Sequence, residues 1–161
     1  MPGSRAIRAG QTYAMPASPN TSPRIRIAAE RARRGADAFT AGCADLLYGR
    51  HACVDDDFVL ALGGEHGANV LNGSDGGKAG YWPRVWAARG LLHEWDDAAT
   101  EAIIHATSDE AWRVREMAGK VIARHRVGDA LDAVAGLRAD RVPRVRAAAE
   151  RAMVMLTAGG A

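Results

Sequence analysis

Cysteine is scarce in this chain of 161 residues: Cys43 and Cys53 are the only two, ten apart and in no CxxC spacing. A disulfide scaffold is therefore excluded, and reduced thiols in a cytoplasmic setting are the expectation. Aromatic residues make up only 6%. No apolar run approaches the ~20 residues that a membrane-spanning helix needs, and the N-terminus has no continuous apolar segment of the signal-peptide kind. The expectation is thus a soluble chain with no membrane partner. The histidines His66, His93, His105 and His125 show no HExxH or paired metal-ligand spacing, so no metal and no other cofactor is expected. The run Gly73-Ser74-Asp75-Gly76-Gly77-Lys78 is one residue short of a phosphate loop, lacks Ser or Thr after the lysine, and follows no strand.

What is present is ordinary globular material: 48% hydrophobic and 25% charged residues, with much Ala and Arg, in a length that suits one domain. The net charge of +2 conceals an uneven distribution. Residues 1–35 hold seven Arg against one Glu, whereas residues 36–161 hold 14 Lys and Arg against 18 Asp and Glu. Basic character that matters must then come from an N-terminal arm or from a local patch.

Residues 1–22 place Pro2, Pro16 and Pro19 among Gly, Ser, Thr and Asn without apolar periodicity, which reads as a disordered basic arm. From Pro23 the sequence turns to Ile25, Ile27 and an Ala/Arg-rich stretch through Arg34, and Phe39, Cys43, Leu46 and Leu47 then recur at intervals of four, three and one, the spacing of an amphipathic helix that ends near Gly49. Asp55-Asp56-Asp57 suits the start of a helix over about 56–63, since carboxylates cap free N–H groups and match the positive end of the helix dipole. Gly63-Gly64 breaks it, a short helix follows at about 65–72, and 73–80 reads as a flexible loop. Beyond the loop the helical period is strong, and no segment alternates like a strand. The fold class expected is all-α.

The decisive pattern is internal repetition. Asp109-Glu110-Ala111-Trp112-Arg113-Val114-Arg115 is answered 31 residues later by Asp140-Arg141-Val142-Pro143-Arg144-Val145-Arg146, and a looser copy, Trp82-Pro83-Arg84-Val85-Trp86, lies 29 residues upstream. Asp, four residues, Val-Arg, then alanines and a large aliphatic on one stripe resembles the HEAT repeat. That resemblance implies an α-solenoid of stacked antiparallel helical hairpins over 81–161, with 23–80 as degenerate repeats or a cap. Such hairpins cannot bury both apolar faces alone and must share a core with their neighbours. Asp109, Arg115, Asp140 and Arg146 then read as a structural ladder, with Arg115 and Arg146 reaching back to the Asp of their own repeat or across to the next turn. Trp86 stands where the first copy would have its Arg, so one rung is expected to be missing.

In the family this chain resembles, second helices line the concave surface. Arg84, Arg113, Lys120, Arg124, Arg144 and Arg151 would form one cationic ridge there; the alternative is a merely solvated face in which these cations are interleaved with Glu116 and Glu150. The function expected is a non-catalytic scaffold that binds a macromolecule, first of all a protein, along this face. The rival is nucleic-acid binding through the ridge and the basic arm. A HEAT-like DNA glycosylase or lyase, with Asp97 or Asp109 beside a tryptophan, is the third reading. The turn formed by residues 153–156 is apolar all round, so Met153, Met155 and Leu156 are expected at an interface with a partner, a second copy or the segment around Ile25 and Ile27.

Overall fold

The computed structural model describes residues 21–159; the arm expected over 1–22 lies almost wholly outside them. Helix α1, Pro23–Arg34, starts with Pro at its first position and with the Ser22 hydroxyl accepting from the Ile25 N–H. The helix expected to end near Gly49 is a second, separate one. Gly35 adopts φ 89°, where α1 ends, and α2 runs Ala36–Leu47. Glycine alone enters that conformation without cost. Helix α3, Asp56–Gly63, is capped by the Asp55 carboxylate, which accepts from Phe58 N–H at 2.9 Å. Gly64, at φ 60°, separates it from α4, Glu65–Leu71. The run expected as a flexible loop is a kinked 3-10 segment, Ser74–Ala79. Its Lys78 ammonium is tied to the Val54 carbonyl and to the Asp56 carboxylate.

The second half comprises α5 Tyr81–His93, α6 Thr100–Ala106, α7 Trp112–His125, α8 Leu131–Leu137 and α9 Pro143–Thr157. Short 3-10 turns, Asp97–Ala99 and Gly128–Ala130, lead into α6 and α8. The described residues contain no strand, so the all-helical expectation holds. Helix α5 packs on α7 and α7 on α9; α6 and α8 each pack on the helix that follows; α2 lies against α5 and α6, and α1 against α2, α3 and α5.

One continuous core runs through both halves, with Phe39, Phe58, Leu62, Leu91, Ile103, Val114, Ile122 and Val145 fully buried. Each large aliphatic so buried contributes about 1.5–3 kcal/mol. Small residues set the helix spacing. A Cβ added at Gly119 would sit 3.1 Å from the Ala148 Cβ, and one at Gly90 would sit 3.2 Å from Cys43 Sγ. Those close approaches explain why α7 and α9, and α2 and α5, make extended contact.

The core also sets the repeat register. Pro83, Val114 and Val145 are buried at 31-residue intervals, and so are Ala87, Ala118 and Ala149. The first copy therefore follows the same 31-residue period as the others, a correction to the offset of 29. Pro83 takes the buried place that Val holds in the later repeats. Both ends of α5 and α7 are cross-linked, at the N-terminal side through Arg84 and Asp109 and at the C-terminal side where His125 Nε2 lies 2.9 Å from the Leu92 carbonyl oxygen. The two helices thus run in the same direction.

Candidate functional site

The charged residues of the repeats divide into a structural set and an exposed set. Arg84 donates from Nε and Nη2 to the two oxygens of Asp109 at 2.7 and 3.1 Å. Arg115 does the same to Asp140, again at 2.7 and 3.1 Å. Each Asp also accepts the N–H two residues on, Ala111 or Val142, at 2.8 Å, which orders the turn before the next helix. Arg115 Nη1 reaches back to the Asp109 carbonyl at 2.8 Å, and Arg146 Nη1 to the Asp140 carbonyl at 2.7 Å. The ladder thus joins Arg84 and Arg115 to the next repeat's carboxylate, and Arg115 and Arg146 to their own repeat's main chain. Arg115 beside it holds the Asp140 carboxyl below the usual carboxylate range, through the side-chain hydrogen bond first.

Two expectations change here. The rung thought missing at Trp86 is supplied by Arg84, two residues earlier, and Trp86 is buried in the core. Arg84 is consequently turned away from the proposed ridge, with 13% of its side chain exposed.

The other five cations of the ridge fall into two groups along α7 and α9. At the N-terminal ends, Arg113 lies 4.5 Å from the Trp112 ring centre and 5.6 Å from that of Trp82, while Arg144 lies 5.5 Å from Trp112. Arg144 and Lys120 share the nearly buried Glu116 carboxylate at 3.2 and 3.1 Å. Further along the two helices, Arg124 and Arg151 are exposed and have no acidic partner among the described residues. Glu150, expected to interleave with them, is paired instead with Arg138 at 2.7 Å.

Lys120, Arg124, Arg151 and the Arg138-paired Glu150 rim a groove of about 600 Å³ that crosses α5, α7 and α9, with Leu92, Ala123, Val154 and Met155 exposing apolar surface in it. The 31-residue period generates it: Leu92, Ala123 and Val154 are equivalent positions, and so are Arg89, Lys120 and Arg151. Arg89, which does not itself line the groove, was not among the residues singled out from sequence. The spacing of 89, 120 and 151 is the signal that finds it, once the first copy is placed in register. Of the apolar turn at the end of α9, Met153 and Leu156 are half-buried against the core, Met155 lines the groove, and Val154 is 61% exposed. Ile27 is fully buried in the core, whereas Ile25 is 60% exposed.

The candidate catalytic carboxylates are otherwise engaged. Asp109 is held by Arg84, and Asp97 accepts from Trp95 Nε1 at 2.8 Å. Asp97 does line a second, polar cavity of about 420 Å³ with Glu101, His125 and Asp129, but no group of three or more His, Cys, Asp or Glu among the described residues is placed to hold a metal ion. No described helix is long and apolar enough to cross a membrane. Compared with protein-family models, curated proteins and solved structures, the chain matches none.

Proposed function

We propose that this chain is a non-catalytic helical-repeat scaffold, a solenoid of the HEAT kind, that binds an acidic amphipathic segment of another protein in the groove across α5, α7 and α9. The observation that carries the reading is the combination of an apolar floor, Leu92, Ala123, Val154 and Met155, with a rim of three cations, Lys120, Arg124 and Arg151, and one acid, Glu150, which Arg138 engages. A phosphate backbone is attracted by the rim but gains nothing from the floor. A helix with Leu on one face and Glu beside it uses both, in the manner of helix-in-groove recognition. Three helices at 8–10 Å spacing give a floor about 20 Å long, matched by a helix of about 14 residues.

The test is fluorescence anisotropy with a labelled 14-residue Leu/Glu amphipathic helix, its Leu/Lys counterpart and a short DNA duplex. The Leu/Glu peptide is expected to bind at least about tenfold more tightly than either competitor, and Met155→Glu and Arg151→Glu each to lower that affinity about tenfold, the effect of one hot-spot contact. Equal binding of both peptides would refute the groove reading. Preference for the duplex would favour the nucleic-acid alternative, to which the alternation of Trp82, Arg113, Trp112 and Arg144 gives its one structural support, as a platform for base stacking.

A further inference from the structure

Among the described residues, the arginines that leave solvent in part are, with two exceptions, matched. Arg34 meets Glu30 and Asp55, Arg84 meets Asp109, Arg115 meets Asp140, Arg31 meets Glu94, and Arg113 lies against indole faces. The exceptions are Arg26 on α1 and Arg89 on α5. Both converge on the C-terminal end of α3: Arg26 Nε donates to the Ala61 carbonyl at 3.4 Å and Arg89 Nη2 to the Leu62 carbonyl at 2.8 Å. Arg26 also donates from Nη1 to the Thr21 carbonyl. No carboxylate accepts from either among the described residues, and Arg89 Nε is buried with no acceptor at all.

Capping explains one donor on each arginine, since a helix C-terminus carries roughly half a negative charge. Set against two full cations, it leaves about one and a half positive charges uncompensated. Water still reaches part of both side chains, but Arg89 Nε is withdrawn from it, and a cation so placed is unfavourable unless something balances it. Burial accordingly lowers the affinity of both guanidiniums for their protons, and for Arg89 the neighbouring Arg26 charge adds to the effect. The field extends to His93, whose pKa burial pushes down, followed by the charges of Arg24, Arg89 and Arg124. The one acid acting on it, Glu94, is engaged by Arg31 at 3.4 Å.

We propose that Arg26 and Arg89, where α1 and α5 meet the end of α3, form a binding site for a phosphate dianion. A phosphate group carries about −1.5 to −2 charges near neutral pH, which matches the uncompensated charge, and its oxygens suit the planar donor fork of a guanidinium. The site is independent of the proposed groove, which uses other residues.

Calorimetric titration at pH 8 and constant ionic strength tests this, with inorganic phosphate, glycerol phosphate and chloride as probes. Saturable binding of phosphate but not chloride is expected, weakened about tenfold or more by Arg26→Gln and by Arg89→Met, the loss of one charge-assisted bond. Binding of glycerol phosphate as well would identify a phosphoryl group carried on a larger molecule as the source; its exclusion would identify the free ion. Absence of saturable phosphate binding by the unmodified protein overturns the proposal, and so does unchanged affinity in either variant. Should Arg89→Met fail to fold, the half-exposed Arg26→Gln decides alone.

Discussion

Truncating the ladder arginines one at a time should reveal its polarity. In Arg115→Met the Asp140 carboxylate keeps its Val142 N–H but loses both guanidinium bonds, and the Asp109 and Glu110 carbonyls lose theirs. The side chains of that pair are each only 10% exposed, so water does not replace the lost partner. Removing one member of such a buried pair costs about 3–5 kcal/mol. Arg84→Met leaves Asp109, 8% exposed, in the same position and should cost about the same. Arg146→Met removes a single bond, to the Asp140 carbonyl, from an exposed side chain, and should cost about 0.5–1.5 kcal/mol. Urea unfolding reads the difference: with a slope of about 1–3 kcal/mol per molar, the first two midpoints fall by roughly 1 M or more and the third by much less. The 31-residue register and the forward direction of the ladder would both be refuted if Arg84→Met were nearly neutral, or if Arg146→Met cost as much as Arg115→Met.

The two thiols should differ sharply. Cys43 is fully buried and its thiol is pushed well up by burial, while Cys53 is exposed; a thiol-specific reagent should label Cys53 at once and Cys43 only at the rate of opening. Acid should weaken the N-terminal half in a defined window. Arg34 beside it holds the Asp55 carboxyl down at about 2, below its unfolded value of about 3.9. Its stabilisation is therefore complete above the unfolded pKa and is lost as pH falls through about 2, where the folded carboxylate takes up its proton. Arg34→Met should flatten the pH dependence of stability between about pH 4 and pH 2, measured by thermal unfolding, and an unaltered slope would show that Asp55 draws nothing from Arg34.

Much of the fold was legible because local signals agreed. The Asp55 cap, the breaks at Gly63-Gly64 and the apolar stripes of α7 and α9 each have a physical cause within a few residues. The division at Gly35 was less visible, since Ile27 and Phe39 on either side of it both continue an apolar face into the core. The register of the first repeat was hidden by Trp82-Pro83-Arg84-Val85, which imitates Trp112-Arg113-Val114 at the wrong offset while Pro83 occupies the buried place. Which carboxylate an arginine meets, 25 residues on in sequence, is settled by the stacking of successive helices, and that stacking is set by contacts such as Gly119 on Ala148, not by local spacing. For the same reason the pairing of Arg84 with Asp109, and the lack of a carboxylate for Arg26 and Arg89, emerge only from the packed structure. The four-residue turn 153–156 shows another limit: its composition is apolar throughout, but only the position of α9 against α7 decides that Val154 faces outward.

The proposed binding role is tested most directly by amide shift mapping in ¹⁵N-labelled protein titrated with the Leu/Glu helix. The account predicts perturbations confined to the groove, at Leu92, Ala123, Arg124, Arg151 and Met155, and abolished by Met155→Glu. Perturbations centred on α6 and α8, or on the N-terminal helices α1 to α4, would contradict it.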